Sequence, residues 1–372
     1  MEVDLVVCGG GLAGLSAALM AGRMGFSVAL VEKKTYPFHK VCGEYLSLES
    51  RSLIGHLGIP TKNLPLIDTF FLSHPSAGTF SSPLPLGGLG ISRNFLDSEL
   101  CRLVREEGGL VLENMRVVGH RQEGEKHVIE LDNGNQILSK FAFGSFGRNK
   151  PGFLRETENR QGRSYTGVKM HLAHDDFPRD QIELHHFPGG YAGMSAIEDG
   201  HYCFAYLVDD EVVRTCRGNL DQVEIQFLQK NPHLKKRLLE GRSVWGRTTT
   251  SGVHFRPRPL SDSGLLFLGD TAGMIPPLAG NGMSMALHSA VLACNLLSQT
   301  RSGLSKNDLI KAYTRDWNAS FSKRLQQARR LQTIMEQPGM TAFTLQIFRL
   351  FPGLFRLAAK GTHGVEIPLP KG

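Results

Sequence analysis

The sequence has no Cys-x-x-Cys pair. Its six cysteines are dispersed along 372 residues, at positions 8, 42, 101, 203, 216 and 294, so neither a disulfide framework nor a zinc site is predicted. No apolar run approaches the roughly 20 residues needed to cross a bilayer. The chain also opens without the basic leader and apolar stretch of a cleaved signal peptide. Together these absences predict a reducing, cytoplasmic location.

Several catalytic and binding signatures are missing as well. There is no Gly-x-Ser-x-Gly turn, which excludes hydrolases built on that nucleophile. There is no second glycine fingerprint for a separate nicotinamide domain. His185 and His186 are adjacent on a predicted strand, where their rings point to opposite faces, and we predict no metal site. The basic residues lack interleaved aromatic residues or a recognisable module, which argues against nucleic-acid binding.

The most informative motif lies at the start of the chain. A strand-like run over residues 3–8 passes directly into a glycine-rich turn and then into a helix of small residues. This is the layout of a dinucleotide-binding βαβ unit, in which the glycines allow a tight turn, a close approach of the backbone to a pyrophosphate, and close packing of helix on strand. The candidate cofactor-binding residues of this turn are Gly9, Gly11, Leu12, Ala13 and Gly14.

An acidic residue is expected at the end of the second strand of such a unit, and Glu32 occupies that position, eighteen residues beyond Gly14. Its carboxylate can accept both hydroxyls of an adenosine ribose and would repel a 2′-phosphate. We include the adjacent Lys33 among the cofactor-binding candidates. The alternative is a glycine-rich loop without function, which the combination of strand, helix, second strand and terminal glutamate disfavours.

A second motif supplies what a flavin needs. The apolar strand 264–268 ends in Gly269 and Asp270, whose carboxylate can accept a hydrogen bond from a polyol. After a proline-rich bend, a second helix begins at glycines whose free N–H groups can face a ring oxygen and stabilise negative charge there. The candidates at this helix start are Gly280, Asn281, Gly282 and Met283. Alternatively, Gly269 and Asp270 merely cap a helix.

With these motifs in place, the sequence resembles the flavoprotein superfamily that contains the geranylgeranyl reductases, the aromatic hydroxylases (group A flavoprotein monooxygenases) and the flavin-dependent halogenases. Arg93, which opens Arg-Asn-Phe-Leu-Asp, matches the superfamily residue that reaches the cofactor's phosphate or ribityl region. The loop 40–44 resembles the Lys-Pro-Cys-Gly loop of the reductases. The Trp-x-Trp-x-Ile-Pro signature of halogenases is missing at 189–194. The resemblance implies FAD as the cofactor.

One departure from the superfamily concerns the reductant. An Ala-Asp-Gly-Arg-like turn is common after the third strand of the meander, but Phe146 stands here where the aspartate is expected. In the hydroxylases that motif supports contacts linked to NADPH use. The electron donor is therefore left open between NAD(P)H and a reduced carrier protein.

The predicted fold class is α/β, with a three-layer Rossmann-like FAD-binding domain, an inserted antiparallel β-sheet substrate domain and a helical C-terminus. We assign residues 1–60, 90–150 and 250–300 to the FAD-binding domain, which is discontinuous. Residues 61–89 and 151–249 form the predicted substrate-binding domain, and 301–372 a helical segment.

The residues closest to the chemistry are less certain from sequence. Cys42 could face the flavin as a proton donor, or be a buried inert thiol. Glu44 could carry a proton if burial raises its pKa, or be a solvated loop carboxylate. Arg93 could instead be a surface cation. Tyr191 is the candidate substrate-binding residue, or else an aromatic of the core. Two further cofactor-binding candidates are Gly43 and Val117.

The basic charge is concentrated at the C-terminal end, where residues 301–372 carry twelve Lys or Arg against four Asp or Glu. Apolar residues recur at helical spacing from Phe343 to Ala358, with Arg349, Arg356 and Lys360 on other faces. This pattern can lie on an anionic membrane surface or pack against the protein's own domain. The oligomeric state is left open.

The preferred function is FAD-dependent reduction of a carbon-carbon double bond in an isoprenoid or lipid-like substrate. The first alternative is an FAD-dependent monooxygenase that hydroxylates or epoxidises an aromatic or polyketide substrate. The second is a noncatalytic FAD-binding sensor.

Overall fold

The computed structural model describes residues 1–149, 151–154 and 162–371. The predicted domain ranges also include residues 150, 155–161 and 372, which lie outside the described residues. In chain order the strands are β1 (Glu2–Cys8), β2 (Val28–Val31), β3 (Tyr45–Ser47), β4 (Leu66–His74), β5 (Gly78–Gly90), β6 (Leu110–Leu112), β7 (Val117–Glu123), β8 (Lys126–Leu131), β9 (Gln136–Gly144), β10 (Tyr165–Ala173), β11 (Gln181–Phe187), β12 (Gly190–Ala196), β13 (Tyr202–Asp209), β14 (Arg242–Val253), β15 (Ser261–Asp262) and β16 (Leu265–Phe267).

Helices separate and cover these strands. In chain order they are α1 (Leu12–Arg23), α2 (Arg51–Leu57), α3 (Arg93–Glu106), α4 (Asp210–Thr215), α5 (Leu220–Gln226), α6 (Pro232–Glu240), α7 (Gly282–Gln299), α8 (Lys306–Met335), α9 (Pro338–Leu350) and α10 (Pro352–Thr362). The fold is of the predicted α/β class with a helical C-terminus.

The first sheet has the order β15-β16-β9-β1-β2-β6, and the β7–β8 hairpin joins it through β9. Strands β16, β9, β1, β2 and β6 run parallel. Every residue of β2 is buried, as expected for a parallel sheet covered on both faces. Helix α1 packs on this sheet and against α3 and α7. Its small residues Ala17, Ala18 and Ala21 are fully enclosed.

The second sheet has the order β14-β10-β13-β12-β11-β4-β5-β3. Its registers divide the strands into two faces. One face carries Val168, Met194 and Phe204 and packs against α4, α5 and α6. The other face carries Lys169, Cys203 and residues such as Leu184 and Phe70, which lie toward the first sheet and the C-terminal helices.

Three details of the predicted domain division differ from the structure. Strand β3 at 45–47 pairs with β5 in the second sheet, because the long strand β5 extends far enough to take a further partner. Strand β14 continues to Val253 in the second sheet, so residues 250–253 do not belong with the first. The second sheet is also not purely antiparallel, since β4 and β11 run parallel; they come from separate excursions of the chain out of the first sheet.

The C-terminal helices divide their apolar residues between the protein and its surface. Leu345 and Phe355 are buried against Leu72 and Phe80 on the second sheet. Other apolar side chains of the same helices point outward, including Phe343, which is 67% exposed, and Leu350, which is 73% exposed. Within the described residues, no helix combines the length and apolar character needed to cross a membrane.

A buried ion pair links the C-terminal part of the chain to Glu49, which lies just before α2. Glu49 Oε1 accepts a hydrogen bond from Arg324 of α8 at 3.1 Å, and both side chains are buried. The other oxygen of Glu49 accepts the N–H of Gly364, and the Glu49 carbonyl accepts the N–H of Ile367 at 2.9 Å. One side chain therefore fixes both α8 and the segment after α10.

Candidate active site

The glycine turn has the geometry that its sequence predicts. Gly9 has a φ of +111°, and a Cβ at this position would overlap the Ser145 carbonyl oxygen; a Cβ at Gly14 would overlap the Gly9 carbonyl oxygen. Both positions thus require glycine. Helix α1 begins after Gly11 without a side-chain cap and without an acidic residue in its first turn. Its N–H groups at Leu12 and Ala13 are free to bind an anion.

Glu32 is buried beside this turn. One carboxylate oxygen accepts the N–H of Gly10 at 2.8 Å and the other accepts the N–H of Lys34 at 3.1 Å. Each oxygen retains a lone pair for a ribose hydroxyl. Lys33 is exposed, and Val117 is buried at the start of β7. Val117 lies two residues beyond Met115, whose N–H donates to the Glu32 carbonyl at 3.0 Å.

The second motif meets the first in space. Gly269 has a φ of +56°, and a Cβ there would lie 3.1 Å from the Ala13 Cβ. The adjacent Asp270 is partly buried, and burial raises the pKa of its carboxyl although Arg258, Arg93 and Arg148 act in the opposite direction. No hydrogen bond to this carboxylate comes from the described part of the chain. It is therefore an unused acceptor next to the N-terminus of α1.

Helix α7 begins at Gly282 and Met283 with its N-terminus uncapped. Gly280 has a φ of +65°, and the Asn281 side chain makes no capping hydrogen bond and no acidic residue lies in the first turn. Instead, Asn281 Nδ2 donates to the Thr362 carbonyl at 2.7 Å, and its buried Oδ1 has no hydrogen-bond partner among the residues that the structure describes. Free N–H groups here can stabilise negative charge on a ring oxygen.

Arg93 is enclosed at the start of α3, so it is not a surface cation. Its guanidinium donates two hydrogen bonds of 2.8 Å to Asp97, one turn later. Lys40 lies 3.1 Å from the same carboxylate and donates to the Gly10 carbonyl at 3.1 Å. Burial would raise the pKa of Asp97, but Arg93 and Lys40 hold it below its usual value. Two cations thus lie beside the glycine turn.

The loop 41–44 packs against the second sheet. The Cys203 thiol donates to the Cys42 carbonyl at 3.3 Å, and a Cβ at Gly43 would meet nothing within 4 Å. The space beside Gly43 is therefore open on the side away from the sheet. Burial raises the pKa of the Cys42 thiol, so this group is protonated at neutral pH and can donate a proton.

Glu44 is fully buried, and the prediction of a solvated loop carboxylate is wrong. It adopts a φ of +55°, an unfavourable conformation that persists only where its surroundings enforce it. Lys169 donates to Oε1, which also accepts the Arg93 N–H at 2.7 Å, and His171 Nε2 lies 2.6 Å from Oε2. Burial alone would raise the pKa of Glu44, but His171 and Lys169 hold it below its usual value. Glu44 is therefore ionised.

The carboxylate of Glu44, the His171 ring and the Cys203 thiol lie close enough to share a metal ion. Two features disfavour that use. The Lys169 ammonium contacts the same carboxylate and would repel a cation. Burial also raises the pKa of Cys203 well above its usual value, so the thiolate that binds metals is not formed. The group is better described as a charge cluster that fixes the loop.

An apolar cavity of about 130 Å³ lies between the second sheet and the C-terminal helices. It reaches Leu278, Ala279 and Gly280, directly before α7. Its wall is built from β3, β4, β5, β11, α8, α9 and α10, with Tyr45, Phe70, Leu72, Leu84, Ile182, Leu184, Leu331, Ile334, Met335, Phe348, Phe355, Ala358 and Ala359 among the lining residues.

Tyr191 does not line this cavity. It packs behind Leu278, among Tyr165, Leu207 and Val253. Its hydroxyl donates to Gln332 at 3.2 Å and accepts the Leu278 N–H at 3.3 Å. Because both hydrogen-bonding roles are occupied by the protein, the structure assigns Tyr191 to the core rather than to substrate binding.

Two uncapped helix N-termini, the unused Asp270 acceptor and the ribose-binding position of Glu32 together fit FAD. A family profile described as "FAD dependent oxidoreductase" matches residues 4–37, the strand, turn, helix and second strand of this site. The protein is an FAD-dependent oxidoreductase. FAD is its cofactor. A second profile, "Squalene epoxidase", matches residues 247–328 of the oxidoreductase.

Curated relatives of the oxidoreductase include reductases and halogenases. A digeranylgeranylglycerophospholipid reductase of Thermoplasma volcanium is 24% identical over 337 residues, which cover 82% of this chain and 79% of the relative. A tryptophan 2-halogenase of Chondromyces crocatus is 22% identical over 324 residues. That match covers 78% of the oxidoreductase but only 60% of the halogenase.

Solved structures show the same fold. A geranylgeranyl bacteriochlorophyll reductase-like protein of Thermoplasma acidophilum superposes with a TM-score of 0.75 at 17% identity, covering 99% of the oxidoreductase and 93% of that chain. The flavin-dependent brominase Bmp2 superposes with a TM-score of 0.77 at 18% identity, covering 96% and 94%. The fold is therefore shared by proteins named for different reactions.

Sequence reasoning missed four charged residues of the site. Asp97 follows Arg93 at the i, i+4 spacing of a helical ion pair, which could have revealed it. Lys40 precedes the cysteine loop. Lys169 and His171 alternate with apolar residues along β10, and charged residues on an otherwise apolar strand signal a buried partner. The identity of that partner, Glu44, depends on how the second sheet packs.

Proposed function

We propose that this FAD-dependent oxidoreductase reduces a carbon-carbon double bond in an isoprenoid or other lipid-like substrate. The observation that carries the proposal is the apolar cavity, which runs beneath α8, α9 and α10 and reaches Gly280 at the start of the FAD-facing helix. Hydrocarbon chains suit such walls because burying apolar surface is favourable. The match to a digeranylgeranylglycerophospholipid reductase supports this substrate class.

Two residues of the loop 41–44 have different roles in the proposed reaction. FAD supplies the hydride. The Cys42 thiol, kept protonated by burial, is the proton donor in this proposal, whereas the ionised Glu44 holds the loop in place. The electron donor is NAD(P)H or a reduced carrier protein.

A second candidate is an FAD-dependent monooxygenase, which would hydroxylate or epoxidise its substrate. The match of residues 247–328 to the squalene epoxidase profile favours it, and so does the cavity, since an epoxidase also requires an apolar site. The two candidates differ in their need for oxygen.

Anaerobic turnover separates these candidates. We expect the photoreduced protein, mixed with a polyprenyl substrate without oxygen, to return to oxidised flavin with one double bond saturated per flavin. Cys42→Ala should slow this step by about 10²-fold, the scale of a lost general acid, without altering FAD content; Cys216→Ala, in a distant apolar cluster, is the control. Product that forms only in oxygen would instead establish the monooxygenase, and reduced flavin inert under both conditions would favour the sensor.

We further propose that α9 and α10 dock on an anionic membrane. No Asp or Glu occurs between Glu336 and Glu366, whereas the same stretch contains Arg349, Arg356 and Lys360. Exposed apolar side chains lie on the same helices, at Met340, Phe343, Leu350, Phe351, Leu354 and Leu357. Apolar insertion and attraction to anionic lipid act together on such a surface.

Substituting the exposed residues tests this docking without removing the cavity wall. Leu350→Glu combined with Leu357→Glu should reduce binding to phosphatidylserine vesicles at least roughly tenfold, because each change replaces insertion by charge repulsion. Sedimentation with vesicles measures it. Leu239→Glu, at an equally exposed leucine of α6, should bind as the unmodified chain does. If the unmodified protein did not bind these vesicles, the docking proposal would be excluded.

A further inference from the structure

Two buried polar atoms on the lining of the cavity have no hydrogen-bond partner within the described residues. They are the Tyr45 hydroxyl and His363 Nε2. Two other buried hydroxyls on the same lining are already used: the Thr341 hydroxyl donates to the Ile334 carbonyl at 3.0 Å, and the Thr362 hydroxyl to the Ala359 carbonyl at 2.9 Å. Because a buried hydrogen bond left unmade is costly, two such atoms on one cavity wall indicate a ligand.

The hydrogen-bonding role of His363 follows from its other nitrogen. Nδ1 lies 2.7 Å from the Ala359 carbonyl oxygen. A carbonyl can only accept, so Nδ1 carries the proton, and Nε2 of the neutral ring is an acceptor. Tyr45 can both donate and accept. A ligand that satisfies both atoms must therefore donate a hydrogen bond to His363 Nε2. The same ligand can either accept a hydrogen bond from the Tyr45 hydroxyl or donate one to it.

Both groups lie toward the end of the cavity next to α7. The Tyr45 ring lies against Gly280, where a Cβ would be 3.3 Å from Cδ1. Asn281, the next residue, donates to the carbonyl of Thr362, which precedes His363. The wall further along, under α9 and α10, is formed by Phe70, Leu72, Phe348 and Phe355. The two unpaired groups thus lie beside the FAD-facing helix, and the wall beyond them is mainly apolar.

We propose that the ligand is an amphiphile with a hydroxyl head, which is held by Tyr45 and His363 while its hydrocarbon tail lies beneath α9 and α10. A hydroxyl satisfies both atoms, since it donates to His363 Nε2 and accepts from Tyr45. An ether or carbonyl head would leave His363 unpaired, and a pure hydrocarbon would leave both unpaired. This inference rests on the proposed lipid-like substrate class and narrows it to alcohols, phenols or quinols.

The hydroxyl-head proposal can be tested by comparing the binding of two related ligands, without measuring turnover. Geraniol and geranyl methyl ether share a tail, but only the alcohol can donate. Their dissociation constants for the FAD-loaded full chain are measured from the change in flavin absorbance on binding. We expect geraniol to bind roughly tenfold more tightly, the value of one hydrogen bond. His363→Leu should abolish the preference, and Tyr45→Phe should weaken geraniol binding by a similar factor.

Tyr206→Phe is the matched control, because it removes a buried tyrosine hydroxyl bonded to Glu224 on the opposite face of the second sheet. It should keep the preference for geraniol. Flavin content verifies that each variant is folded. Equal binding of both ligands to the unmodified chain would overturn the hydroxyl assignment while leaving the lipid-binding cavity intact. Binding of neither would overturn both proposals.

Discussion

Gly9→Ala should abolish FAD binding and destabilise the protein. Alanine at a φ of +111° is strained, and its Cβ would overlap the Ser145 carbonyl oxygen. That oxygen belongs to the backbone immediately after β9, whose last pair with β1 joins Gly144 to Cys8, so it cannot move without breaking the central strand pair. We expect a loss of about 3 kcal/mol in the free energy of unfolding. Urea denaturation and the flavin content of purified protein measure the two effects.

Gly55→Ala provides the comparison. Gly55 lies inside α2, where a Cβ would meet nothing within 4 Å, so alanine should stabilise the helix by up to about 1 kcal/mol. FAD content should not change. Normal FAD content in Gly9→Ala would show that the turn does not hold the cofactor as described.

Glu49→Ala should be the most destabilising change outside the cofactor site. It leaves the buried Arg324 guanidinium without its carboxylate partner and removes the acceptor for the Gly364 N–H. Loss of one member of a buried ion pair costs about 3–5 kcal/mol. Loss of the contacts at Gly364 also removes the attachment that follows α10, so α10 should open more readily and trypsin should cleave faster at Arg356 and Lys360 within it. Thermal unfolding and timed proteolysis measure both.

The control is Glu107→Ala, which breaks the half-exposed pair with Arg23 and should cost less than about 1 kcal/mol. Glu49→Gln keeps a neutral acceptor for the Gly364 N–H, so its loss of stability should lie between those of Glu107→Ala and Glu49→Ala. If Glu49→Ala unfolded no more easily than Glu107→Ala, the ion pair would not be what holds the C-terminal segment.

Local spacing was sufficient to predict the backbone geometry of those parts of the candidate site that are contiguous in sequence. The glycine turn, Glu32 and the Gly269–Asp270 corner each consist of a strand end followed by a helix start, and such geometry is fixed by backbone requirements within a few residues. The structure brings the first and last of these together, because Ala13 and Gly269 are in contact.

What sequence could not predict depends on packing between distant segments. Sequence left Glu44 open between a proton carrier and a solvated carboxylate, and neither holds, because Lys169 and His171 cover it from a strand more than 120 residues away and keep it ionised. Sequence left Tyr191 open between the substrate site and the core, and its contacts with Leu278 and Gln332 place it in the core. The cavity itself needs the C-terminal helices, whose position no local motif specifies.

The second sheet consists of two excursions of the chain, 45–90 and 165–253. Their strands pair with each other where β4 and β11 run parallel, with Thr69 opposite Gln181 and Ser73 opposite His185. This seam sets a rule for constructing chimaeras. A graft that exchanges one excursion for that of a relative must preserve the alternation of side chains across the seam, because a shift of one residue would turn Leu72 and Leu184 away from the cavity. Exchanging both excursions together moves the seam intact, so the sheet side of the cavity wall can be transplanted while the FAD-binding sheet and the C-terminal helices keep their own sequence.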